Sequence, residues 1–159
     1  MKQIDREQLV QDNRQICIRM ERLANRFMAE QGLSAVQAHL LLYVLSQGSR
    51  GTSLTAIHRE FGYSKATLSN IIKRLREKGY VRAECCADDD RFKLLFATEK
   101  GEQVQAFLQE AALRVQQQVY GCFSEQDLCT LDRLQKKMLQ NLCPCAEKTI
   151  QKQKEESER

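Results

Sequence analysis

Apolar residues recur along this chain at three- and four-residue steps, the spacing of one buried helix face. Over residues 4–31 no helix breaker interrupts the pattern until Gly32, which predicts one long first helix. Ser34 is a predicted N-cap for a second helix over residues 35–46. Because residues 39–45 are apolar nearly all round, we expect the second helix to form the centre of the core.

Two shorter helices are predicted next, over residues 54–61 and 64–78, with Gly62 closing the first of them. One face of the longer one is apolar and the opposite face is small, polar and basic. The apolar positions are Leu68, Ile71, Ile72 and Leu75. A short helix, a tight turn and a helix with such an outward face are typical of a helix-turn-helix.

A two-stranded hairpin is predicted after Gly79. Residues 80–85 and 92–98 have strand character, and residues 87–90 supply turn residues between them. Arg91 and Lys93 are then expected at or beside the tip of the hairpin.

Helical spacing returns from Gly101 to about Tyr120. Ser124 and Asp127 resemble a capping box, although Glu or Gln is the usual second member, and a leucine-rich final helix follows. The fold class is therefore mainly α with a small β-hairpin wing. We expect a single domain over residues 1–145, with the winged helix-turn-helix at 34–100 between helices at 4–31 and 101–143, and a charged, disordered tail at 146–159.

Positive charge is concentrated in the middle of the chain. Residues 50–100 hold eleven Lys and Arg against seven Asp and Glu, whereas the remainder balances at fourteen against fourteen. A polyanion is therefore expected to bind in the middle third, if one binds. The polar start of the chain and the absence of a long apolar run predict a cytoplasmic protein that does not enter a membrane.

Several strings then resemble the MarR family of bacterial winged helix-turn-helix transcription regulators. Residues 32–34 resemble the family's entry to its second helix, 64–69 the start of its recognition helix, and 75–81 the exit into its wing. Residues 89–91 and 97–101 are similar to the wing signature Asp-Arg-Arg with a later Leu-Thr-x-x-Gly. Two departures are Asp90, where a basic residue is common, and Ala97, where leucine is usual.

The resemblance implies a homodimer in which the first and last helices interlock, two recognition helices enter successive major grooves of double-stranded DNA, and Arg91 reaches the minor groove. It also implies a regulator, more often a repressor, that leaves its operator when a small-molecule effector or an oxidant acts. A cleft between the dimerisation helices and the winged domain is the natural effector site.

The candidate DNA contacts divide by chemistry. Asn70, Thr67 and Ser69 could read base edges, whereas Lys and Arg on the flanks need only reach phosphates. The full set of candidates is Ser64, Lys65, Thr67, Ser69, Asn70, Lys73, Arg74, Arg91 and Lys93, with Arg76 a further residue suited to phosphate. Taken alone this face would be an ordinary solvated helix surface, and its place between a turn and a hairpin favours DNA binding.

The seven cysteines have irregular spacings, so neither structural disulfides nor a zinc site is expected, and no cofactor is predicted. Sensor thiols, if present, could include Cys85, Cys86, Cys143 and Cys145. The pattern favours a core position for the remaining three, which are Cys17, Cys122 and Cys129. His39 is expected to be a buried histidine and not a metal ligand.

No phosphate-cradling loop, nucleophile elbow or His-x-x-x-His pair occurs, so catalysis is not expected. Two alternatives stay open beside the regulator: a helical adaptor that uses the winged fold to hold proteins without binding DNA, and a thiol-based redox switch on the same DNA-binding frame.

Overall fold

A computed structural model describes residues 4–86 and 89–142, without the side chains of residue 86 and residues 89–92. Its element bounds are α1 Arg6–Met28, α2 Ala35–Gln47, α3 Leu54–Phe61, α4 Lys65–Glu77, β1 Val81–Cys86, β2 Asp89–Ala97, α5 Glu99–Tyr120 and α6 Glu125–Asn141. Short 3-10 turns follow α1 and α2. The predicted class, mainly helical with one hairpin, is confirmed.

The helices begin where the predicted caps lie. The Ser34 hydroxyl accepts a hydrogen bond from the Gln37 backbone N–H (3.2 Å), and the Ser34 N–H donates to the Gln37 side-chain oxygen (3.2 Å), which completes a capping box. The Ser124 and Asp127 pair forms the same box at α6, so the shorter aspartate suffices there. The hydrogen bonds from Ser124 lower the pKa of Asp127.

The core is centred on α2, as the apolar sequence of that helix predicts. Leu40, Leu41 and Val44 are at most 1% exposed. The buried side chains that surround them come from the two helices of the helix-turn-helix, the hairpin and α5; they include Ile57, Leu68, Leu75, Val81, Leu95 and Leu108. Burial of these leucines and isoleucines provides the main driving force for folding in this part of the chain.

The hairpin differs from its prediction in two respects. β2 begins at Asp89, so residues 89–91 lie in a strand, although a turn was predicted for 87–90 and the predicted second strand began at 92. The antiparallel pairing extends beyond a register shift at Cys85 and Cys86, which strand propensity alone does not reveal. Thr52, which lies just before α3, forms an isolated antiparallel backbone bridge to Leu95 beside this two-stranded sheet.

The chain divides into two compact units, Met1–Gln117 and Gln118–Arg159. The first contains the core just described. In the second, no residue of α6 is buried. No helix in the described part of the chain combines the length and apolar character that crossing a membrane requires.

A close contact joins the hairpin to the start of α5. An ideal Cβ built on Gly101 would lie 2.5 Å from the Tyr80 carbonyl oxygen and 3.5 Å from Leu41 Cδ1. Around it, the Thr98 hydroxyl donates to the Gly79 carbonyl (2.6 Å) and accepts from the Gly101 N–H (3.2 Å). The glycine of the predicted wing signature is therefore required by packing.

Gly101→Ala is expected to lower the free energy of unfolding by about 1 to 3 kcal/mol, because overpacking outweighs the roughly 1 kcal/mol that alanine gains over glycine inside a helix. Urea unfolding followed by circular dichroism measures the change. Ala106→Gly, at an exposed position of the same helix, measures the effect of helix propensity on the free energy of unfolding without the close contact. Equal or higher stability of Gly101→Ala would contradict the packing argument.

Candidate nucleic-acid interface

The turn between α3 and α4 is built by local capping. The Gly62 N–H donates to the His58 carbonyl (2.9 Å), and Gly62 has φ 72°, a left-handed conformation that glycine adopts without strain. Ser64 then caps α4 by accepting from the Thr67 N–H (3.1 Å). The predicted helix-turn-helix is present with its turn at the expected glycine.

Burial on one side of α4 leaves the other side exposed. Leu68, Ile72 and Leu75 pack into the core, with Ile71 half-buried beside them. All predicted contacts on this helix and its cap are exposed: Ser64, Lys65, Thr67, Ser69, Asn70, Lys73 and Arg74. The structure therefore brings them together on one accessible surface.

Two of these residues also support the helix itself. The Ser64 and Thr67 hydroxyls are 2.8 Å apart, in addition to the cap bond from the Thr67 N–H. A hydroxyl can both donate and accept, so neither group is closed to a further partner. Ser64 nevertheless has a structural role as N-cap whatever it contacts outside the protein.

The wing places Lys93 and Arg91 on β2. Lys93 is exposed and lies opposite Cys85 in the strand register. The backbone of Arg91 belongs to β2, but its side chain lies outside the described atoms, so its role in the minor groove stays a prediction.

Two further arginines, Arg76 and Arg82, line a groove between α4 and β1. This groove, of about 510 Å³, is lined by Lys73, Arg76 and Glu77 of α4 and by Val81, Arg82 and Ala83 of β1. Sequence reasoning named Arg76 as suited to phosphate but missed Arg82. Arg82 and Glu84 are two residues apart in a strand, so they lie on the same face. This spacing was the signal in the sequence that could have identified Arg82.

Arg82 is held in place from two sides. Its guanidinium lies 4.8 Å from the centre of the Phe96 ring and forms an ion pair with Glu84. Arg82 also lines a second groove, of about 490 Å³, together with Phe96, Glu102 and Gln105.

Lys78, at the end of α4, has a different role from the cations before it. Its ammonium donates to the Gly32 carbonyl and to the Gln37 side-chain oxygen (3.0 Å). The Tyr80 hydroxyl donates to the Gln31 carbonyl (3.1 Å) nearby. These bonds attach the exit of α4 to the segment between α1 and α2 and to the first turn of α2.

The predicted core cysteines are not buried, so that prediction was wrong. Cys17, Cys122 and Cys129 are all exposed as free thiols in this chain. A position within helical spacing does not fix which face a small side chain occupies, and Cys122 lies in the turn after α5. Of the candidate sensor thiols, Cys85 is exposed, the side chain of Cys86 lies outside the description, and Cys143 and Cys145 lie beyond the described residues.

His39 was predicted to be buried, and it is exposed instead. Its ring packs edge-on against Phe61, with the centroids 4.9 Å apart. Because its stretch of α2 is apolar all round, the sequence could not show which face pointed outward. Within the ranges 4–86 and 89–142, no cluster of three or more His, Cys, Asp or Glu is suited to a metal.

A larger and more apolar groove lies elsewhere in the first unit. It measures about 770 Å³ and is bordered by α1, α2 and α5. Its lining includes Cys17, Met20, Val36, His39, Leu42 and Val115.

The helix-turn-helix followed by a hairpin defines a winged-helix protein. Residues 31–91 match the family model described as "MarR family". Together with the shared fold below, this match confirms the resemblance read from the sequence: the chain has a winged-helix fold and is similar to the MarR family.

Solved structures share this fold at low sequence identity. MepR of S. aureus, in a complex with DNA, is 20% identical, with a TM-score of 0.79 over 87% of this chain and 99% of that one. The transcriptional regulator SlyA is 22% identical, with a TM-score of 0.79 over 89% and 98%. A MarR variant from E. coli complexed with operator DNA is 19% identical, with a TM-score of 0.75 over 82% and 93%.

Lys78→Met is expected to lower the free energy of unfolding by about 1 kcal/mol, because two hydrogen bonds to a charged donor are lost at an exposed site. Urea denaturation measures it. Lys73→Met is the matched control, since Lys73 has only a 3.9 Å ion pair with Glu77 and both side chains are more than half exposed. Equal stability losses in the two variants would contradict the structural role of Lys78.

Proposed function

We propose that this chain is a transcription regulator, acting as a repressor, that binds a pseudo-palindromic DNA operator as a homodimer. The observation that carries the proposal is the accessible polar and basic face of α4, placed between the Gly62 turn and the hairpin. The width of a B-DNA major groove admits an α-helix, and this helix presents short polar side chains along that face.

The roles of the α4 residues follow from their chemistry. Asn70 has an amide that can bond an adenine edge with two hydrogen bonds, and Thr67 and Ser69 are the other candidates for base contacts. Lys65, Lys73 and Arg74 carry charges suited to phosphate oxygens. In the wing, Arg91 and Lys93 would reach the adjacent groove and backbone.

Two of the structural neighbours support DNA as the partner. The MepR structure is a DNA complex and the E. coli MarR variant is bound to operator DNA. No step of the proposal requires a catalytic group, a metal or a cofactor.

Exposed apolar side chains support the homodimer. In the first unit they occur on α1 and α5, where Leu9, Val10, Ile16 and Leu113 are 51 to 70% exposed. In the second unit, Leu134, Met138, Leu139 and Leu142 are 45 to 76% exposed, and no residue of α6 is buried. A leucine-rich helix without a fully buried residue in the described part of the chain is suited to a second copy.

A two-fold dimer sets the form of the operator. Its two recognition helices would contact half-sites about 34 Å apart, one turn of the duplex, and the symmetry of the protein would be mirrored in the site.

Release from DNA is proposed to follow effector binding or oxidation. The 770 Å³ groove supports a small, mostly apolar effector, because its lining combines methionine and aliphatic side chains with the polar edge of His39. The exposed thiols of Cys85 and Cys17 support sensitivity to oxidants.

Lys73→Glu combined with Arg91→Ala is expected to abolish salt-sensitive binding to the operator, because a phosphate contact becomes repulsive and the wing contact is lost. The operator fragments are selected from the organism's genomic DNA. Gel-shift titration at several salt concentrations measures it. Asn70→Ala should instead weaken operator binding while affinity for unrelated DNA is kept. Lys136→Glu combined with Arg133→Ala, a double exchange on α6 with the same total change in charge, is the control. Wild-type protein that binds no DNA would favour the adaptor.

Leu139→Glu is expected to convert the dimer to a monomer, because it places a charge in an apolar contact. Light scattering coupled to gel filtration measures the mass. Gln140→Glu adds the same charge at the next, polar position and should leave the dimer intact. A wild-type protein that is monomeric at micromolar concentration would contradict the homodimer.

A further inference from the structure

We propose that Arg82, at the base of the wing, makes an additional contact to the DNA phosphate backbone. Lys73 and Arg76 would contact the backbone together with it. This inference rests on the proposed DNA binding and adds a contact that lies outside the recognition helix. Arg82 is the second residue of β1 and follows the exit of α4 by only a few positions.

The geometry begins with the groove of about 510 Å³ between α4 and β1. Three of its six lining residues are cations, and Glu77 is the single carboxylate. A phosphodiester carries one negative charge and accepts several hydrogen bonds. The groove therefore has the charge and the donors that a backbone phosphate requires.

Arg82 is positioned before any DNA arrives. Its guanidinium lies 4.8 Å from the centre of the Phe96 ring. Phe96 in turn packs over Gly51, where an ideal Cβ would lie only 2.6 Å from a ring carbon. The side chain of Arg82 is nevertheless 50% exposed, so it stays accessible to solvent while its guanidinium lies over the ring.

The existing partner of Arg82 does not prevent this role. Glu84 is 54% exposed, and ion pairs between exposed side chains contribute little to stability. A guanidinium has five N–H donors, so it can keep its contact with Phe96 and still donate to a phosphate. Lys73, whose pair with Glu77 spans 3.9 Å, is equally available.

Contact with phosphate differs measurably from contact with bases. A phosphate contact strengthens binding to every sequence and adds about 0.9 to the slope of log K against log salt concentration. A dimer contributes Arg82 twice, so its removal should lower that slope by about 1.8.

The test is Arg82→Gln in the full chain, titrated by fluorescence anisotropy against a selected operator duplex and an unrelated duplex over several salt concentrations. Affinity for both should fall about tenfold, with the loss in slope given above. Arg82→Lys should restore most of the slope. Glu84→Gln should tighten binding to both duplexes roughly two- to fivefold, because it removes a competing carboxylate.

The control pair lies on α5. Arg114 and Glu110 form an ion pair at 2.6 Å, with exposed fractions of 59% and 64% that resemble those of Arg82 and Glu84. Arg114→Gln and Glu110→Gln should leave affinity and slope near wild type. An equal loss in Arg114→Gln would mean that net charge alone acts, and would overturn the proposal.

The remaining outcomes distinguish a failure of the proposed function from a failure of this inference alone. If wild-type protein binds no duplex, the proposed function fails and this inference fails with it. If wild type binds but Arg82→Gln keeps its affinity and slope, only this inference is overturned. If Arg82→Gln lowered affinity for the operator alone, Arg82 would contact bases and not phosphates, and this inference would also be overturned. Should Arg82→Gln fail to fold in a thermal melt, Arg82→Lys and Glu84→Gln decide.

Discussion

The exit of α4 is fixed where the Tyr80 carbonyl meets Gly101. The Thr98 N–H donates to that carbonyl (3.0 Å), and the Lys100 ammonium donates to the Lys78 carbonyl (2.7 Å) while lying 4.5 Å from the centre of the Tyr80 ring. Since α4 enters this junction and β1 and α5 leave it, the direction of α4 depends on these contacts. A glycine at position 101 allows the close approach that sets them.

Much of this architecture was predictable because its determinants are local. Serine caps at 34, 53, 64 and 124 and the glycine at 62 mark helix ends through hydrogen bonds to residues two to four positions away. The exposed face of α4 was predictable for a related reason: Leu68, Ile72 and Leu75 define a buried side, and the opposite side follows from helical geometry.

The failures involve positions whose surroundings are set by distant residues. His39 lies in a stretch without a polar face, so its exposure depends on which elements pack around α2. The extension of β2 to Asp89 depends on cross-strand pairing. Arg82 was missed because a six-residue strand carries too short a pattern to show that its second residue faces α4 across a groove.

Arg82 also connects two places on the surface. Arg82 lines both the groove beside α4 and the groove that contains Glu102 and Gln105. A molecule that pairs with its guanidinium from one groove changes what the other can bind, and thermodynamic linkage makes the effect reciprocal and equal in factor. Two ligands that each pair with Arg82, one from either groove, would therefore compete for one cation without any movement of the backbone.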